Sequence, residues 1–172
     1  MTEDQIVAAI RPYNVHHVLL TGGEPLMQRP TPALAKRLGK EGFDVSIETH
    51  GEAPIDSVVE DCRIVMDIKT PSSGMCRGGF ERNLPLLKPS DEIKFVIASK
   101  DDYEWSAHWV KSGRLRTREI LFSPASPAPG MPGRFEGVTP RWLAEKLLAD
   151  RLPVRMQLQL HKIVWSPETR GV

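Results

Sequence analysis

The stretch HHVLLTGGEPLM, residues 16–27, ends a short apolar run in two glycines and a carboxylate. Glycine has no Cβ, so Gly22 and Gly23 leave their backbone N–H and C=O groups open to a ligand that approaches closely. The carboxylate of Glu24 is suited to bind an ammonium group. The stretch fits neither the G-x-x-x-x-G-K-S/T phosphate loop nor the G-x-G-x-x-G dinucleotide motif. From its spacing alone, a tight turn without a ligand is the stronger interpretation.

Polar residues recur where the later apolar runs end. Each of them alone has an ordinary structural explanation; Lys69, for example, is most often a solvated loop lysine. Because parallel strands end at one rim of a sheet, however, their side chains can converge on one site. The residues in such positions are Glu48, Thr49 and His50; Asp67, Lys69, Thr70 and Ser72; Ser123 and Ser126; and Gln159 and His161.

The elements that position these residues alternate between strand and helix. Thr2 and Gln5 predict a capping box at the start of a first helix. Thr31 and Thr139, each followed by proline, are the expected N-caps of two later helices. This alternation predicts parallel strands joined by crossover helices, in either an open doubly wound sheet or part of a barrel. We expect strands at 18–20, 45–48, 64–68, 93–98, 120–122 and 156–160, and a further helix at 101–112.

The last predicted strand lies within RMQLQLHK, residues 155–162, where apolar residues alternate with Gln157, Gln159 and His161. A period of two places these three polar side chains on one face of a strand. A strand that helices cover on both sides is apolar on both faces. The strand is therefore expected either to be a solvent-facing edge or to line a wet cavity.

The composition excludes several classes of protein. The 172 residues are 40% hydrophobic and 26% charged with a formal net charge of +1, which suits one domain spanning 1–172 and indicates neither a nucleic-acid nor a membrane partner. No apolar run approaches the ~20 residues of a membrane span. The first ten residues lack a secretory pattern, so a cytoplasmic location is expected. Cys62 and Cys76 match no disulfide scaffold or metal motif, and no metal ligands are assigned.

LLTGGEPLMQ, residues 19–28, resembles the Gly-Gly-Glu motif of radical S-adenosylmethionine enzymes, which by itself indicates only that superfamily. Further segments resemble one family within it, the 7-carboxy-7-deazaguanine synthases of the queuosine pathway. The similarity runs from about Glu3 to the last residue, and it implies an α/β fold, an incomplete parallel β/α barrel without its first strand. The segments are VSIETHG, DIKTPSSG, EIKFVIAS, ILFSPAS and LQLHKIVWSPETRGV.

The resemblance implies a lyase reaction that serves tRNA modification. It is the ring contraction of 6-carboxy-5,6,7,8-tetrahydropterin to 7-carboxy-7-deazaguanine with loss of ammonia. In this family a reduced [4Fe–4S] cluster cleaves S-adenosylmethionine to a deoxyadenosyl radical, which takes a hydrogen from the substrate, and Mg²⁺ assists. The family's dimers imply a homodimer.

The same resemblance assigns site residues by position. The implied catalytic residues are Glu48, Lys69 and His161. The implied substrate-binding residues are Thr21, Glu48, Gln159, His161 and Pro167, so that the polar face of the last strand would face the barrel interior. The implied cofactor-binding residues are Gly22, Gly23, Glu24, Asp67, Ile68, Lys69, Ser123, Pro124, Ala125 and Ser126.

One departure from the family limits these implications. The family holds its cluster through a C-x3-C-x2-C-type loop after its first strand, and this sequence has no such loop. Cys62 and Cys76 cannot replace it, because at least three thiolates must meet at one cluster. We expect an amino-terminally truncated form that alone holds no cluster and does not turn over; a relative that has lost the chemistry is the other interpretation.

Two alternative functions stay open at this point. The first is a glycyl-radical activase, which shares the glycine motif but should lack the LQLHK ending found at 158–162. The second is a non-catalytic module that binds S-adenosylmethionine or a pterin, or a folding partner. Binding without turnover would distinguish this module from the synthase.

Overall fold

The structure, a computed structural model, describes residues 1–125 and 138–165. Six strands form one parallel sheet in the order β1-β2-β3-β4-β5-β6. Each strand lies beside the next one in sequence, without the reversal that defines a doubly wound sheet. The α/β fold of a partial parallel barrel is therefore confirmed. The strands are β1 His17–Leu20, β2 Asp44–Thr49, β3 Arg63–Ile68, β4 Glu92–Ile97, β5 Glu119–Pro124 and β6 Arg155–Met156.

The predicted caps are confirmed at two of three helices. The Thr2 side chain accepts from the N–H of Gln5 while the Gln5 side chain accepts from the N–H of Thr2, which is a complete capping box. Thr139 accepts from the N–H of Trp142 at 3.1 Å. The α-helices in the described ranges are α1 Glu3–Ile10, α2 Thr31–Lys40, α3 Lys100–Lys111, α4 Pro140–Asp150 and α5 His161–Val164.

The prediction that Thr31 is an N-cap is wrong. Pro30 occupies the N-cap position, and Thr31 is the first residue of α2. Its hydroxyl donates instead to the backbone C=O of Pro25 at 2.6 Å. Thr31 therefore ties α2 to the 3₁₀ turn Pro25–Met27 that follows the glycines.

The predicted strand 156–160 is also wrong. β6 ends at Met156, and the N–H of Gln157 makes the last bond toward β5, to the C=O of Phe122 at 2.9 Å. Beyond it the backbone bonds locally, from Leu160 N–H to Leu158 C=O at 2.9 Å, and Leu160 is 64% exposed. The alternation therefore creates no polar strand face, and α5 begins at His161.

Contacts divide the chain into two units, the first made of residues 1–67, 77–92 and 116–118, the second of 68–76, 93–115 and the described residues from 119 on. In the first unit α2 packs on β2. Its core includes Val7, Ala35, Leu38, Ile47, Ile64 and Met66. The prediction of one domain stays a prediction.

In the second unit, α3 packs against β5 through aromatic rings. Tyr103 and Phe122 have ring centroids 5.9 Å apart, and Phe95 lies 5.5 Å from Phe122, both in edge-to-face arrangements. All three side chains are fully buried, so this cluster holds the strands whose ends carry the predicted site residues of the unit. Within residues 1–125 and 138–165, no helix has the length and apolarity needed to span a membrane.

Candidate functional site

The glycine turn after β1 has a backbone that glycine adopts without strain. Gly22 has φ +94° and Gly23 has φ +56°, both in the left-handed region. A Cβ built on either residue would meet nothing within 4 Å. The glycines are therefore needed for their conformation, and their backbone borders open space in which a ligand has room.

The carboxylate of Glu24 fastens this turn to the end of β2. Its Oε1 accepts from the N–H of Leu26 at 3.0 Å and from the hydroxyl of Thr49 at 2.8 Å. Its Oε2 accepts from the backbone N–H of His50 at 2.9 Å, and the Nε2 of His50 lies 3.1 Å from the same oxygen. The side chain is 7% exposed. Since four donors occupy the carboxylate, any contact between Glu24 and a ligand ammonium group has to compete with them.

His50 continues the network into the next segment. Its Nδ1 accepts from the backbone N–H of Glu52 at 3.0 Å, which assigns the proton of a neutral ring to Nε2, facing Glu24. The Glu52 carboxylate accepts from the N–H of Gly79 at 2.9 Å and from the N–H of Arg77 at 3.3 Å. Glu24, His50 and Glu52 thus connect the glycine turn to residues 77–79. Glu52 was not predicted as a site residue from the sequence.

Two predicted substrate residues, Thr21 and Glu48, lie together at the ends of β1 and β2. The register pairs Leu20 with Ile47, so the next residue of each strand falls at the same rim. The Thr21 hydroxyl donates to Oε2 of Glu48 at 3.2 Å, and Glu48 is half-buried. A carboxylate held in this way is oriented to accept hydrogen bonds from N–H groups of a ligand.

The segment after β3 contributes mainly backbone and one cation. The side chain of Ile68 is fully buried, so Ile68 can contact a ligand only through its main chain. Lys69 is half-buried. Thr70 is 2% exposed, and its hydroxyl donates to the C=O of Val96 at 3.0 Å. The backbone on the carboxyl side of Lys69 is therefore fixed to β4.

A buried carboxylate that was not among the predicted site residues holds the 3₁₀ turn Pro71–Ser73. Asp102 is 0% exposed; its Oδ1 accepts from the N–H of Ser72 at 2.9 Å and its Oδ2 from the N–H of Ala98 at 3.1 Å. Asp102 lies in the first turn of α3, where the N-cap Ser99 accepts from its N–H at 3.0 Å. The sequence signal was an acidic residue three positions after a serine cap.

At the end of β5, Ser123 is 1% exposed. Its hydroxyl oxygen is buried and has no hydrogen-bond partner among residues 1–125 and 138–165. The N–H of Ala125 donates to the C=O of Ile97 at 2.9 Å, which fixes the strand end on β4. Since burying a polar group without a partner costs about 1–3 kcal/mol, a ligand that bonded to Ser123 would be favoured.

Several predicted residues have no described side chain. Ser126 and Pro167 lie outside the described residues, and only the backbone of His161 is described, at the start of α5. Gln159 is half-buried, and its C=O accepts from the N–H of Lys162 at 3.0 Å. The catalytic set Glu48, Lys69 and His161 stays a prediction.

The cysteines do not fit an iron–sulfur cluster. Cys62 is a free thiol, 4% exposed, and burial, with a smaller effect of the Asp61 charge, raises its pKa to about 11. A cluster ligand has to be a thiolate, so this environment opposes ligation. Cys76 is a half-buried thiol that forms no disulfide. The chain contains only these two cysteines, and the part that the structure describes shows no group of three His, Cys, Asp or Glu residues suited to a metal ion.

A cavity of about 390 Å³ lies at the opposite ends of the strands, where β1, β2 and β3 begin. Its lining includes His17, Asp44, Arg63 and Lys88. The cations are already bound, Arg63 to Glu92 at 2.6 Å and Lys88 to the C=O of Cys62 at 2.7 Å. The protein therefore already engages these two cations of the lining, and the cavity does not belong to the rim that carries the glycine turn.

Comparison with known proteins gives the family. No family model matches the chain. A 7-carboxy-7-deazaguanine synthase of Koribacter versatilis is 40% identical over 181 residues, with 100% of this chain and 79% of the relative covered. The synthase of Chlorobaculum tepidum is 40% identical over 176 residues, covering 100% of this chain and 76% of the relative. The synthase of Methanospirillum hungatei is 37% identical, covering 97% of this chain and 66% of the relative.

Solved structures share the fold. QueE from Escherichia coli has a TM-score of 0.61 at 22% identity, with 91% of this chain and 64% of that chain covered. Streptococcus suis SuiB bound to S-adenosylmethionine has a TM-score of 0.59 at 14% identity, with 98% and 45% covered. A domain of pyruvate-formate lyase-activating enzyme from Bacteroides vulgatus has a TM-score of 0.59 at 17% identity, with 82% and 97% covered. With sequence relatives 40% identical over its whole length, the chain belongs to the 7-carboxy-7-deazaguanine synthase family.

Proposed function

We propose that this chain binds S-adenosylmethionine and 6-carboxy-5,6,7,8-tetrahydropterin for the ring contraction that forms 7-carboxy-7-deazaguanine. The observation that carries the proposal is the 40% identity, over the whole chain, to two synthases of that name. The glycine turn supports it, because its backbone conformation and open surroundings suit a ligand. Mg²⁺, homodimer formation and a cytoplasmic location stay predictions from the resemblance.

The residues present fit S-adenosylmethionine, which supplies the deoxyadenosyl group used for hydrogen abstraction. In the first unit, the open backbone of Gly22 and Gly23 would bond the ammonium and carboxylate groups of its methionine part. In the second unit, the buried Ser123 hydroxyl and the backbone of Ile68 are the proposed contacts. These groups need little reorganisation, because their strands hold them in place.

The pair of Thr21 and Glu48 suits the pterin. A pterin ring presents an amino group beside a ring N–H, and one carboxylate can accept hydrogen bonds from both. Thr21 holds the Glu48 carboxylate at 3.2 Å, so that its orientation is set before the substrate binds. Lys69 and His161 are proposed as the groups that hold or move protons during the loss of ammonia.

The misfit between the two cysteines and a [4Fe–4S] cluster favours a second candidate function. The residues of this chain do not supply the cluster's thiolates, and Cys62 is buried with a raised pKa. A module that binds S-adenosylmethionine or the pterin without converting them would use the same glycine turn and the same Glu48. Turnover therefore separates the two candidates, whereas binding alone does not.

Calorimetric titration with S-adenosylmethionine tests the proposed site. The unmodified chain should bind it saturably, and Gly23→Ala should weaken binding about tenfold, about 1.4 kcal/mol, because a Cβ would enter the space of the ligand. Gly113→Ala is the matched control, since Gly113 has φ +70° and equally open surroundings. Both substitutions cost similar backbone strain. Absence of binding to the unmodified chain, or equal weakening by both variants, would contradict the proposal.

A further inference from the structure

The segment 70–74, which follows Lys69, is anchored at two points within the second unit. Thr70 is bonded through its hydroxyl to the C=O of Val96 at 3.0 Å. The N–H of Ser72 donates to Asp102 at 2.9 Å, and the Ser72 and Ser99 hydroxyls lie 2.9 Å apart. Inside the segment, the Ser73 hydroxyl donates to the C=O of Thr70 at 2.6 Å. An exposed turn thus takes its conformation from bonds to β4 and to the start of α3.

Asp102 makes the deeper of the two anchors. It occupies the third position of α3, where the carboxylate of a capping box would accept from the N–H of the N-cap, Ser99. Its oxygens accept instead from Ala98 and from Ser72, a residue of a different element. A fully buried carboxylate bonded to two backbone N–H groups is a strong, charge-assisted anchor, and it lies at the positive end of the helix dipole. Asp102 therefore stabilises the segment 70–74 as well as the start of α3.

We propose that Asp102 is a positioning residue for the ligand site, which acts by setting the conformation of 70–74 and, through it, the backbone of Lys69. The inference rests on the proposed function and on the resemblance, which gives Lys69 both a contact with S-adenosylmethionine and a part in catalysis. With Thr70 buried and Ser72 held by Asp102, the Lys69 backbone is ordered before a ligand arrives. A ligand then loses less free energy to the ordering of this segment.

A matched pair of substitutions isolates this role. Asp91 is also 0% exposed and also accepts from two backbone N–H groups, those of Ile64 at 3.0 Å and Lys88 at 2.7 Å. In both variants, Asp102→Asn and Asp91→Asn, the new side-chain amide nitrogen faces a backbone N–H that donated to a carboxylate oxygen in the unmodified protein. Both variants should therefore lower the unfolding temperature to a similar extent, while only Asp102→Asn releases 70–74.

Three measurements on the complete chain decide the inference: hydrogen exchange of peptides covering 70–74, the Kd for S-adenosylmethionine, and the unfolding temperature. We expect Asp102→Asn to speed hydrogen exchange in 70–74 about tenfold. We also expect it to weaken binding of S-adenosylmethionine about tenfold, which corresponds to about 1.4 kcal/mol. Asp91→Asn should change neither. Equal effects of the two variants on binding, or unchanged exchange of 70–74 in Asp102→Asn, would overturn the inference.

A milder variant covers the case in which Asp102→Asn does not fold. Ser99→Ala removes one hydroxyl, which bonds both the Asp102 N–H and the Ser72 side chain, and keeps the carboxylate. It should speed exchange in 70–74 roughly threefold; no change there would also overturn the inference. If the unmodified chain binds no S-adenosylmethionine, the proposed function fails, and the exchange of 70–74 still shows whether Asp102 sets the conformation of that segment.

Discussion

At the scale of single residues, the chemistry of the candidate site depends on what holds each polar group. Glu24 and Glu48 are both carboxylates at strand ends, yet their surroundings differ. The Glu24 carboxylate is 7% exposed and accepts from four donors, whereas Glu48 is half-buried and accepts from the hydroxyl of the exposed Thr21. Glu24 therefore binds groups of the protein itself, and the half-buried Glu48 is the one of the two that we propose for substrate binding.

Glu48→Gln should weaken binding of 6-carboxy-5,6,7,8-tetrahydropterin about tenfold, because a neutral amide replaces a charge-assisted acceptor. Binding of S-adenosylmethionine should not change. Calorimetry with each ligand measures the two effects separately. Glu92→Gln is the control, since Glu92 is also a half-buried strand carboxylate but lies where β4 begins, paired with Arg63 at 2.6 Å. A loss of pterin binding in both variants would contradict the role of Glu48.

Residue types at the strand ends could be predicted, but their partners could not. Thr21, Glu48 and His50 stand out in the sequence because each follows an apolar run. Nothing local to Glu52 or Asp102 indicates that their carboxylates accept from Gly79, 27 residues away, or from Ser72, 30 residues away. Such bonds depend on the path of the whole chain, and a single sequence carries no pattern for them.

At the scale of elements, local sequence signals predicted helix starts correctly. The alternating pattern predicted a strand that did not form, because the tertiary contacts of a strand were missing. The capping box of Thr2 and the cap of Thr139 were predictable because donor and acceptor lie three residues apart. The alternation at 156–160 is what a half-buried strand would show, but the chain leaves the sheet after Gln157. An alternating pattern permits a strand, and the neighbouring strand decides where it ends.

The turn that joins β1 to α2 depends on Glu24, so Glu24→Gln should destabilise the protein. At least one of the four donors around the carboxylate would then face an amide N–H, at a cost of about 1–3 kcal/mol. This should lower the unfolding temperature by several degrees, roughly 2–4 °C per kcal/mol. Glu145→Gln is the control, because its ion pair with Arg141 is on the surface, with Glu145 62% exposed. Equal unfolding temperatures of the two variants would show that Glu24 does not hold the turn.

At the scale of the whole molecule, the fold that the chain adopts and its ability to coordinate a cluster are separate properties. The sheet order and the relatives establish the fold and the family. Neither observation shows that this chain has the thiolates for a cluster. Cys62 is buried in the core, and Cys76 lies in a glycine-rich segment. The chain can therefore fold so as to bind small molecules, although its 172 residues do not supply the thiolates that coordinate the redox cluster.

Reconstitution tests this separation directly. The chain is treated with iron and sulfide without oxygen, reduced, and mixed with S-adenosylmethionine; bound iron, cluster absorbance and deoxyadenosine are then measured. We expect no cluster and no deoxyadenosine, because three thiolates are required and the Cys62 thiol is buried with its pKa raised to about 11. The Koribacter versatilis synthase, treated identically, shows that the assay works. Deoxyadenosine above the iron-free background would refute the expectation, and its loss in Cys62→Ala would identify a ligand in the core of the first unit.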